Sequence, residues 1–147
     1  MLKIAHRGNR YGKTVHENQV WYLQEAIAEG YDVEADIWLI NNVLWLGHDG
    51  PSYKLSPEDL DSLMMNTWFH CKNLEALDYF INNYKDAKFF WHQNDNYALT
   101  SNGLIWAYPD MPVTENTIIV DFDGKSNSAV NCYGICSDMV GVMIIDK

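Results

Sequence analysis

Short apolar runs alternate with amphipathic segments along the chain as far as about residue 90. The amphipathic segments carry apolar side chains at every third or fourth position, which predicts helices on 20–27, 57–64 and 74–84. The apolar runs between them predict buried strands on 2–5, 31–39, 67–71 and 87–91. A helix between two strands carries the chain back to the end of the sheet where the first strand began. This alternation therefore predicts parallel strands with right-handed crossovers.

The later part of the chain follows a different pattern. Strands are predicted there on 104–108, 117–121, 133–136 and 140–145. One additional strand is predicted in the earlier part, on 43–46, after a tight Asn41-Asn42 turn. The segments between the later strands are short and rich in Asn, Asp, Ser and Pro, which leaves little room for helices. We therefore predict an α/β fold, a compact TIM-barrel-like (β/α) barrel whose second-half helices are reduced to loops. An open parallel α/β sheet is the alternative, because an ordinary barrel of this kind needs about 200 to 250 residues.

Length and charge restrict the classes of protein to consider. The 147 residues suffice for one domain, 1–147, with a hydrophobic core, and 48% of them are apolar. A formal net charge of −10 without Lys/Arg clusters argues against a nucleic-acid partner. No apolar run is long enough to span a bilayer, and the first residues lack the pattern of a signal peptide. Three cysteines without zinc-site spacing favour a reducing, cytoplasmic setting.

Glu34 and Asp36 lie two positions apart on a predicted strand, so their side chains point to the same face. The residues that alternate with them, Val33, Ala35 and Ile37, are apolar. Two neighbouring acids on the inner face of a strand predict a cation or a substrate that meets them. The alternative is a pair of salt-bridged acids on an exposed edge strand.

Other side chains that could take part in catalysis or binding stand at or near the C-terminal ends of predicted strands, namely His6, Arg7, His48, His70, Lys72 and His92. In a (β/α) barrel these ends meet at one face of the molecule, where active sites are built. A lone histidine at a strand end also has a purely structural interpretation, so the pattern by itself gives candidates only.

Four short motifs follow one another within residues 4–49, and they are Ile4-Ala5-His6-Arg7-Gly8, Glu17-Asn18, Glu34-Ala35-Asp36 and Gly47-His48-Asp49. In residue type, order and spacing they resemble the glycerophosphodiester phosphodiesterase family. That family belongs to the phosphatidylinositol-phospholipase-C-like phosphodiesterases and has a TIM-barrel fold. Beyond these motifs the resemblance is limited to short strand-like pieces on 69–72 and 134–138.

The resemblance implies a role for each matching residue. His6 and His48 would be the general acid and the general base of the reaction. Arg7 would bind the phosphate. Glu34 and Asp36 would hold a divalent metal, Mg²⁺ or Ca²⁺.

The same resemblance extends to four further positions. Glu17 and Asn18 match the family's Glu-Asn pair and would form a supporting or ligand shell. Lys72 matches the lysine of a later acid-x-Lys motif and would act on the substrate beside Arg7. His70 stands where the family has its third acidic metal ligand, so it is either a metal ligand or a residue that positions a neighbour.

A few residues outside the motifs are also candidates. His92, near a strand end, is placed to approach the metal or the phosphate. Trp38, Trp91 and Trp106 are candidates for lining a pocket for a substrate head group, and their alternative role is in the core. Asp138 receives no role.

The chemistry of phosphodiester cleavage fits this set of residues. In-line displacement needs a base at the attacking oxygen and an acid at the leaving oxygen. The attacking oxygen is that of water or of a substrate hydroxyl, and the sequence does not distinguish the two. Histidine suits both roles, because its ordinary pKa of about 6.5 leaves both protonation states accessible near neutral pH. A metal, Arg7 and Lys72 would offset the charge that develops on the phosphoryl oxygens. We therefore predict a metal-dependent phosphodiesterase that cleaves glycerophosphodiesters or similar small phosphodiesters to an alcohol and a phosphomonoester.

Two other functions stay open. The first is a catalytically degenerate protein that binds a phosphate ligand on the same fold, which His70 and the shortened second half favour. The second is a different metal phosphoesterase that acts on lipid head groups, as sphingomyelinase D does, and the lack of membrane-binding features counts against it. The strand edges of a reduced barrel would also be exposed, so a homodimer is a further expectation.

Overall fold

The computed structural model describes residues 1–125 and 131–143. This part of the chain contains three α-helices, one 3₁₀ turn and ten strands, and all ten strands belong to one sheet. The strands are β1 (Leu2–His6), β2 (Asp32–Ile40), β3 (Val43–Leu46), β4 (Tyr53–Leu55), β5 (Thr67–Cys71), β6 (Lys88–Phe90), β7 (Tyr97–Leu99), β8 (Ile105–Ala107), β9 (Thr117–Val120) and β10 (Gly134–Ser137). The helices are α1 (Val20–Ala28), α2 (Pro57–Leu63) and α3 (Leu74–Asn83), and the 3₁₀ turn is Met64–Asn66.

The sheet is mixed, and it curls into a half-barrel. Its parallel part has the order β6-β5-β2-β1-β10-β9-β8, so the first strand of the chain lies at its centre. β3 pairs antiparallel with the C-terminal half of β2, and β4 continues that edge. β7 pairs antiparallel with β8 at the other edge.

The prediction of a TIM-barrel-like (β/α) barrel is wrong, and so is the alternative of an open, all-parallel α/β sheet. A parallel pair of strands needs a crossover of a dozen or more residues when a helix joins them. The segment 108–116 between the parallel strands β8 and β9 is shorter than that, and from β6 onward the described residues contain no α-helix. The antiparallel strands β3, β4 and β7 also break the strand–helix alternation on which the barrel prediction depended.

Many local predictions are confirmed. β3 and β5 have the predicted bounds, and Asn41 and Asn42 both take the positive φ that a two-residue hairpin turn requires. α1 ends just before Gly30, whose φ of 98° allows the chain to leave the helix. Ser56 caps α2 by accepting a hydrogen bond from the backbone N–H of Asp59 at 3.1 Å.

Three features of the structure differ from the sequence pattern. β4 and β7 correspond to no predicted strand, because a three-residue strand is too short to show a period of two. Residues 138–142, which overlap the strand predicted on 140–145, form turns. Positions 144 and 145 lie outside the described residues.

The helices cover one face of the sheet and leave the other face to the site. α1 and α3 pack on β2, and α2 packs on α1. The apolar residues that alternate along β2, which are Val33, Ala35 and Ile37, are buried in the same cluster as the helices. The opposite face has its own apolar cluster, formed by residues such as Ile4, Trp68, Phe90, Trp106 and Ile118. Within the described part of the chain, no helix has the length and apolar character needed to cross a membrane.

Candidate functional site

A cavity of about 330 Å³ opens at the C-terminal ends of β1, β2, β5 and β6. Because side chains alternate along a strand, Glu34 and Asp36 point into this cavity while their neighbours pack under the helices. Many of the residues predicted from the sequence line it, namely His6, Arg7, Glu34, Asp36, His48, His70, Lys72, Trp91, His92 and Trp106. Glu17, Asn18 and Trp38 lie outside its lining.

The two acids of β2 lie in the middle of the sheet. Glu34 is 2% exposed and Asp36 is 1% exposed, and β2 has a neighbouring strand on both sides. The interpretation of these acids as an exposed salt-bridged pair on an edge strand is therefore wrong. One ligand atom from each of Glu34, Asp36 and His70 lies within 4.8 Å of the other two, a grouping that fits a single cation.

Asp36 has three polar side chains close to its carboxylate. Asn18 Nδ2 donates to Asp36 Oδ2 at 2.9 Å, and the Asp36 backbone N–H donates to Asn18 Oδ1 at 3.0 Å. Arg7 Nε lies 3.2 Å from Asp36 Oδ2, and His70 Nδ1 lies 3.1 Å from Asp36 Oδ1. Burial favours the neutral acid, but these contacts outweigh it and hold the pKa of Asp36 well below its usual range. The site therefore favours the ionised form of Asp36.

Glu34 has fewer close polar partners than Asp36. Its Oε2 makes no hydrogen bond with any described residue, and the nearest basic nitrogen, His6 Nε2, lies 3.6 Å away. Burial and the neighbouring charge of Asp36 raise the pKa of Glu34. A buried carboxylate that lacks a partner carries a desolvation penalty which a bound cation would remove.

His6 is held by Asp138, a residue to which the sequence pattern assigns no role. His6 Nδ1 donates to Asp138 Oδ1 at 2.7 Å, and Asn9 Nδ2 donates to the same oxygen at 2.8 Å. Burial lowers the pKa of His6, but the bond to Asp138 and the charge of Glu34 outweigh it and raise the pKa. With Nδ1 engaged, Nε2 is the nitrogen available for proton transfer, as in a Ser-His-Asp triad. In the sequence, Asp138 is marked by its position shortly after the predicted strand on 133–136 and by the strand-like piece on 134–138 that belongs to the resemblance.

Arg7 owes its position to a tight turn at the end of β1. Arg7 has a positive φ of 54°, and the next residue, Gly8, has a φ of 86°. A Cβ on Gly8 would lie 2.8 Å from the ring of Tyr22, so only glycine fits there. Arg7 Nη1 donates to Glu17 Oε2 at 3.0 Å, and this bond and the contact with Asp36 orient the guanidinium at the cavity wall.

His70 joins the acids from the neighbouring strand, β5. Its Nδ1 lies 3.1 Å from Asp36 Oδ1 and 4.0 Å from Glu34 Oε1. On the other side of the ring, Nε2 lies 2.9 Å from the backbone oxygen of His92. The ring also stacks on Phe90, with centroids 5.1 Å apart and an interplanar angle of 12°. These contacts fix the orientation of the imidazole.

His48 and Lys72 line the cavity from two other segments. The side chain of His48 is 44% exposed, and its Nδ1 lies 2.7 Å from Asp49 Oδ1. Trp38, which was a candidate for the pocket, instead donates from its indole N–H to the backbone oxygen of Gly47 at 2.7 Å. Trp38 therefore supports the loop that carries His48 and does not line the cavity.

Aromatic rings form the rest of the wall. Phe90 stacks on Trp106 with centroids 4.3 Å apart, and His92 stacks on Tyr108 with centroids 5.6 Å apart. Phe122 lies against His6 at 5.2 Å between ring centroids. Tyr108 and Phe122 were not among the candidates, although they stand at or next to the ends of the strands predicted on 104–108 and 117–121. The cavity thus joins a charged half to an aromatic half.

The charged half combines three functions that phosphoryl chemistry requires. It has a guanidinium for an anion, an imidazole backed by a carboxylate, and paired acids for a cation. The chain matches no protein-family model, no curated protein and no solved structure. The resemblance to glycerophosphodiester phosphodiesterases accordingly rests on the sequence motifs, and the functional inference rests on the geometry of the cavity.

Proposed function

We propose that the cavity is the active site of a metal-dependent phosphodiesterase. Its substrate would be a glycerophosphodiester or a similar small phosphodiester, and its products an alcohol and a phosphomonoester. The supporting observation is that His6, Arg7, Glu34 and Asp36 converge on one cavity, with a carboxylate behind the imidazole. A volume of about 330 Å³ is near the lower end of the range for small-ligand sites, which suits a small diester.

Each residue of the site would have its own role in the hydrolysis of the diester. Arg7 would bind the phosphoryl oxygens and orient the diester. One histidine would take a proton from the attacking water while the P–O bond to the alcohol breaks, and the other would protonate the leaving alcohol oxygen. The carboxylate of Asp138, 2.7 Å from His6 Nδ1, stabilises the protonated imidazole, so we assign His6 as the acid and His48 as the base. A divalent cation held by Glu34 and Asp36 would supply positive charge beside the phosphoryl oxygens when bound.

Lys72 and the aromatic half of the cavity would complete the site. Lys72 would add a second positive charge next to the phosphate, as the sequence resemblance implies. Trp106 and its stacking partner Phe90 would contact the alcohol group of the substrate, because they form the apolar wall of the same cavity. Glu17 and Asn18 would act indirectly, by holding Arg7 and Asp36.

A phosphate-binding protein without turnover is the second candidate function. The observation that favours it is His70, an imidazole at the position where the resembling family has an acid. Such a protein would bind inorganic phosphate through Arg7 and would not cleave a diester.

The decisive experiment is an assay of purified protein on a glycerophosphodiester and on bis-p-nitrophenyl phosphate, with divalent metals or with chelator. We expect His6→Ala and Glu34→Gln each to lower the rate by about 100-fold or more. The matched controls are His16→Ala and Glu115→Gln, which change the same residue types at exposed positions outside the cavity lining. If wild type and both site variants were equally inactive with every metal, the enzyme proposal would be refuted. Binding of inorganic phosphate would then support the second candidate.

A cytoplasmic location and a homodimer remain predictions. The thiols of Cys71 and Cys136 are buried, which agrees with a reducing compartment. The edge strand β7 carries Leu99, which is 74% exposed, and a second copy would cover this edge. Light scattering at high protein concentration that showed only monomer would refute the homodimer.

A further inference from the structure

We propose that His70 binds the metal through Nδ1, and that the site therefore selects a first-row transition ion, Mn²⁺ or Zn²⁺, over Mg²⁺ and Ca²⁺. The inference rests on the proposed function, because it concerns the cation site that this function requires. It departs from the Mg²⁺ or Ca²⁺ that the sequence resemblance implies.

The hydrogen-bond partner of Nε2 determines which nitrogen of His70 can bind a metal. Nε2 lies 2.9 Å from the backbone oxygen of His92, and a carbonyl oxygen only accepts hydrogen bonds. Nε2 therefore carries a hydrogen and donates it. In the neutral ring the lone pair is then on Nδ1, the nitrogen that faces the two acids. A metal-bound histidine whose other nitrogen donates to a carbonyl is the usual arrangement in metal sites.

The spacing of the three candidate ligands fits one ion. Ligands held at about 2.1 Å from a metal are about 3.0 Å apart at right angles and about 4.2 Å apart on opposite sides. His70 Nδ1 lies 3.1 Å from Asp36 Oδ1 and 4.0 Å from Glu34 Oε1, so both distances fall within this range. The stacking of the imidazole on Phe90 holds this geometry in place.

Glu34 gives an independent indication that a cation belongs here. It is 2% exposed, it points into the cavity, and its Oε2 has no hydrogen bond with the described residues. A buried carboxylate oxygen without a donor is costly unless a ligand meets it. Glu34, Asp36 and His70 line a cavity of about 330 Å³, which would leave room for water or a phosphoryl oxygen beside a bound ion.

The chemistry of the donors decides between the ions. Mg²⁺ and Ca²⁺ are hard cations that take oxygen ligands almost exclusively. Imidazole suits Zn²⁺ and its neighbours, and the affinity of a nitrogen-containing site rises along the first transition row from Mn²⁺. Two carboxylates and one imidazole therefore favour a transition ion, whereas three carboxylates would favour Mg²⁺ or Ca²⁺.

The first test measures metal binding without any substrate. The chelator-treated full chain is titrated by calorimetry with Mn²⁺, Zn²⁺, Mg²⁺ and Ca²⁺, and pulsed EPR of bound Mn²⁺ detects a directly bonded nitrogen. We expect one site that binds Mn²⁺ and Zn²⁺ at least about tenfold more tightly than Mg²⁺ and Ca²⁺, with a nitrogen signal. The inference would be overturned if Mg²⁺ or Ca²⁺ bound as tightly as Mn²⁺ and Zn²⁺, or more tightly. It would also be overturned if the wild type gave no nitrogen signal or bound no metal.

The second test uses variants to identify the nitrogen. His70→Asp makes the site all-oxygen, so Mn²⁺ and Zn²⁺ should bind about tenfold or more weakly, and the nitrogen signal should vanish. His6→Asn and His16→Asn should keep the signal, because neither residue belongs to the three-ligand group. A nitrogen signal that persists in His70→Asp would refute the assignment.

The outcomes separate this inference from the proposed function. Transition-metal binding through His70 without any diester cleavage would refute the function and leave the metal assignment intact. Diester cleavage that is supported by Mg²⁺ and insensitive to His70→Asp would refute the metal assignment and leave the function intact.

Discussion

The substitution Asp138→Asn isolates the negative charge behind His6. Asp138 Oδ1 accepts from His6 Nδ1 at 2.7 Å and from Asn9 Nδ2 at 2.8 Å. An amide oxygen in the same place can accept both bonds, so the shape and the contacts are kept and the charge alone is removed. Asp138 is 3% exposed, so solvent screens this interaction only weakly.

The size of the effect follows from the kind of bond that is changed. A hydrogen bond to a charged group contributes about 1.5–3 kcal/mol, and a neutral one about 0.5–1.5 kcal/mol. The substitution should therefore lower the free energy of unfolding by roughly 1–2 kcal/mol when His6 is protonated. Removing the charge should also lower the pKa of His6, because the bond to Asp138 is one of the contacts that raise it.

The pH range of the effect follows from the two pKa shifts. Asp138 has a lowered pKa in the folded protein, so its contribution is present above its unfolded pKa of about 3.9 and is lost as pH falls. His6 has a raised pKa, so its contribution is complete below its unfolded pKa of about 6.5 and is lost as pH rises through the folded value. Wild type and Asp138→Asn should therefore differ most between about pH 4 and 6.5.

The assay is urea unfolding of chelator-treated protein across this pH range, with NMR titration of the histidine ring protons. Asp78→Asn is the matched control, since it makes the same chemical change at an exposed position on α3. We expect the control to change neither the pKa of His6 nor the pH profile of stability. An Asp138→Asn variant with an unchanged pKa of His6, or with a stability loss that is the same at all pH values, would refute the reasoning.

Three further outcomes follow from other parts of the structure. Asn18→Ala should lower the free energy of unfolding by about 3 kcal/mol in urea titration, because it removes two buried bonds to Asp36 and leaves alanine at a φ of 66°. Ser56→Ala should cost about 1 kcal/mol in the same measurement, since it removes the N-cap of α2. A thiol reagent should label the half-buried Cys132 before Cys71 in peptide mass mapping, because burial raises the pKa of Cys71 to about 12.

The two acids of the site could be predicted from sequence because the period of a strand is local information. Once β2 is recognised, the apolar residues Val33, Ala35 and Ile37 fix which face is covered, and Glu34 and Asp36 must point the other way. The same holds for the start of α2, because the capping residue Ser56 directly precedes the helix in the sequence.

The strand order of the sheet and the partner of His6 could not be predicted in this way. Asp138 lies 132 positions after His6, and nothing in either neighbourhood specifies that β1 and β10 pair. The barrel prediction failed for a related reason, since it extended a strand–helix alternation beyond β6 into segments too short for helices. Strand order depends on packing between segments that are far apart in the sequence, whereas a sequence pattern shows only which residue types each segment contains.

The burial of Glu34 on β2 has a consequence for how the sequence of this protein can evolve. Ionised Glu34 weakens the folded state near neutral pH, because burial raises its pKa and its Oε2 has no donor among the described residues. A sequence that drifted under selection for stability alone would lose this carboxylate early, since an amide or an apolar side chain would be tolerated better at the same buried position. Under the proposed metal site, Glu34 is thus a trade-off between the stability of the fold and the binding of a cation.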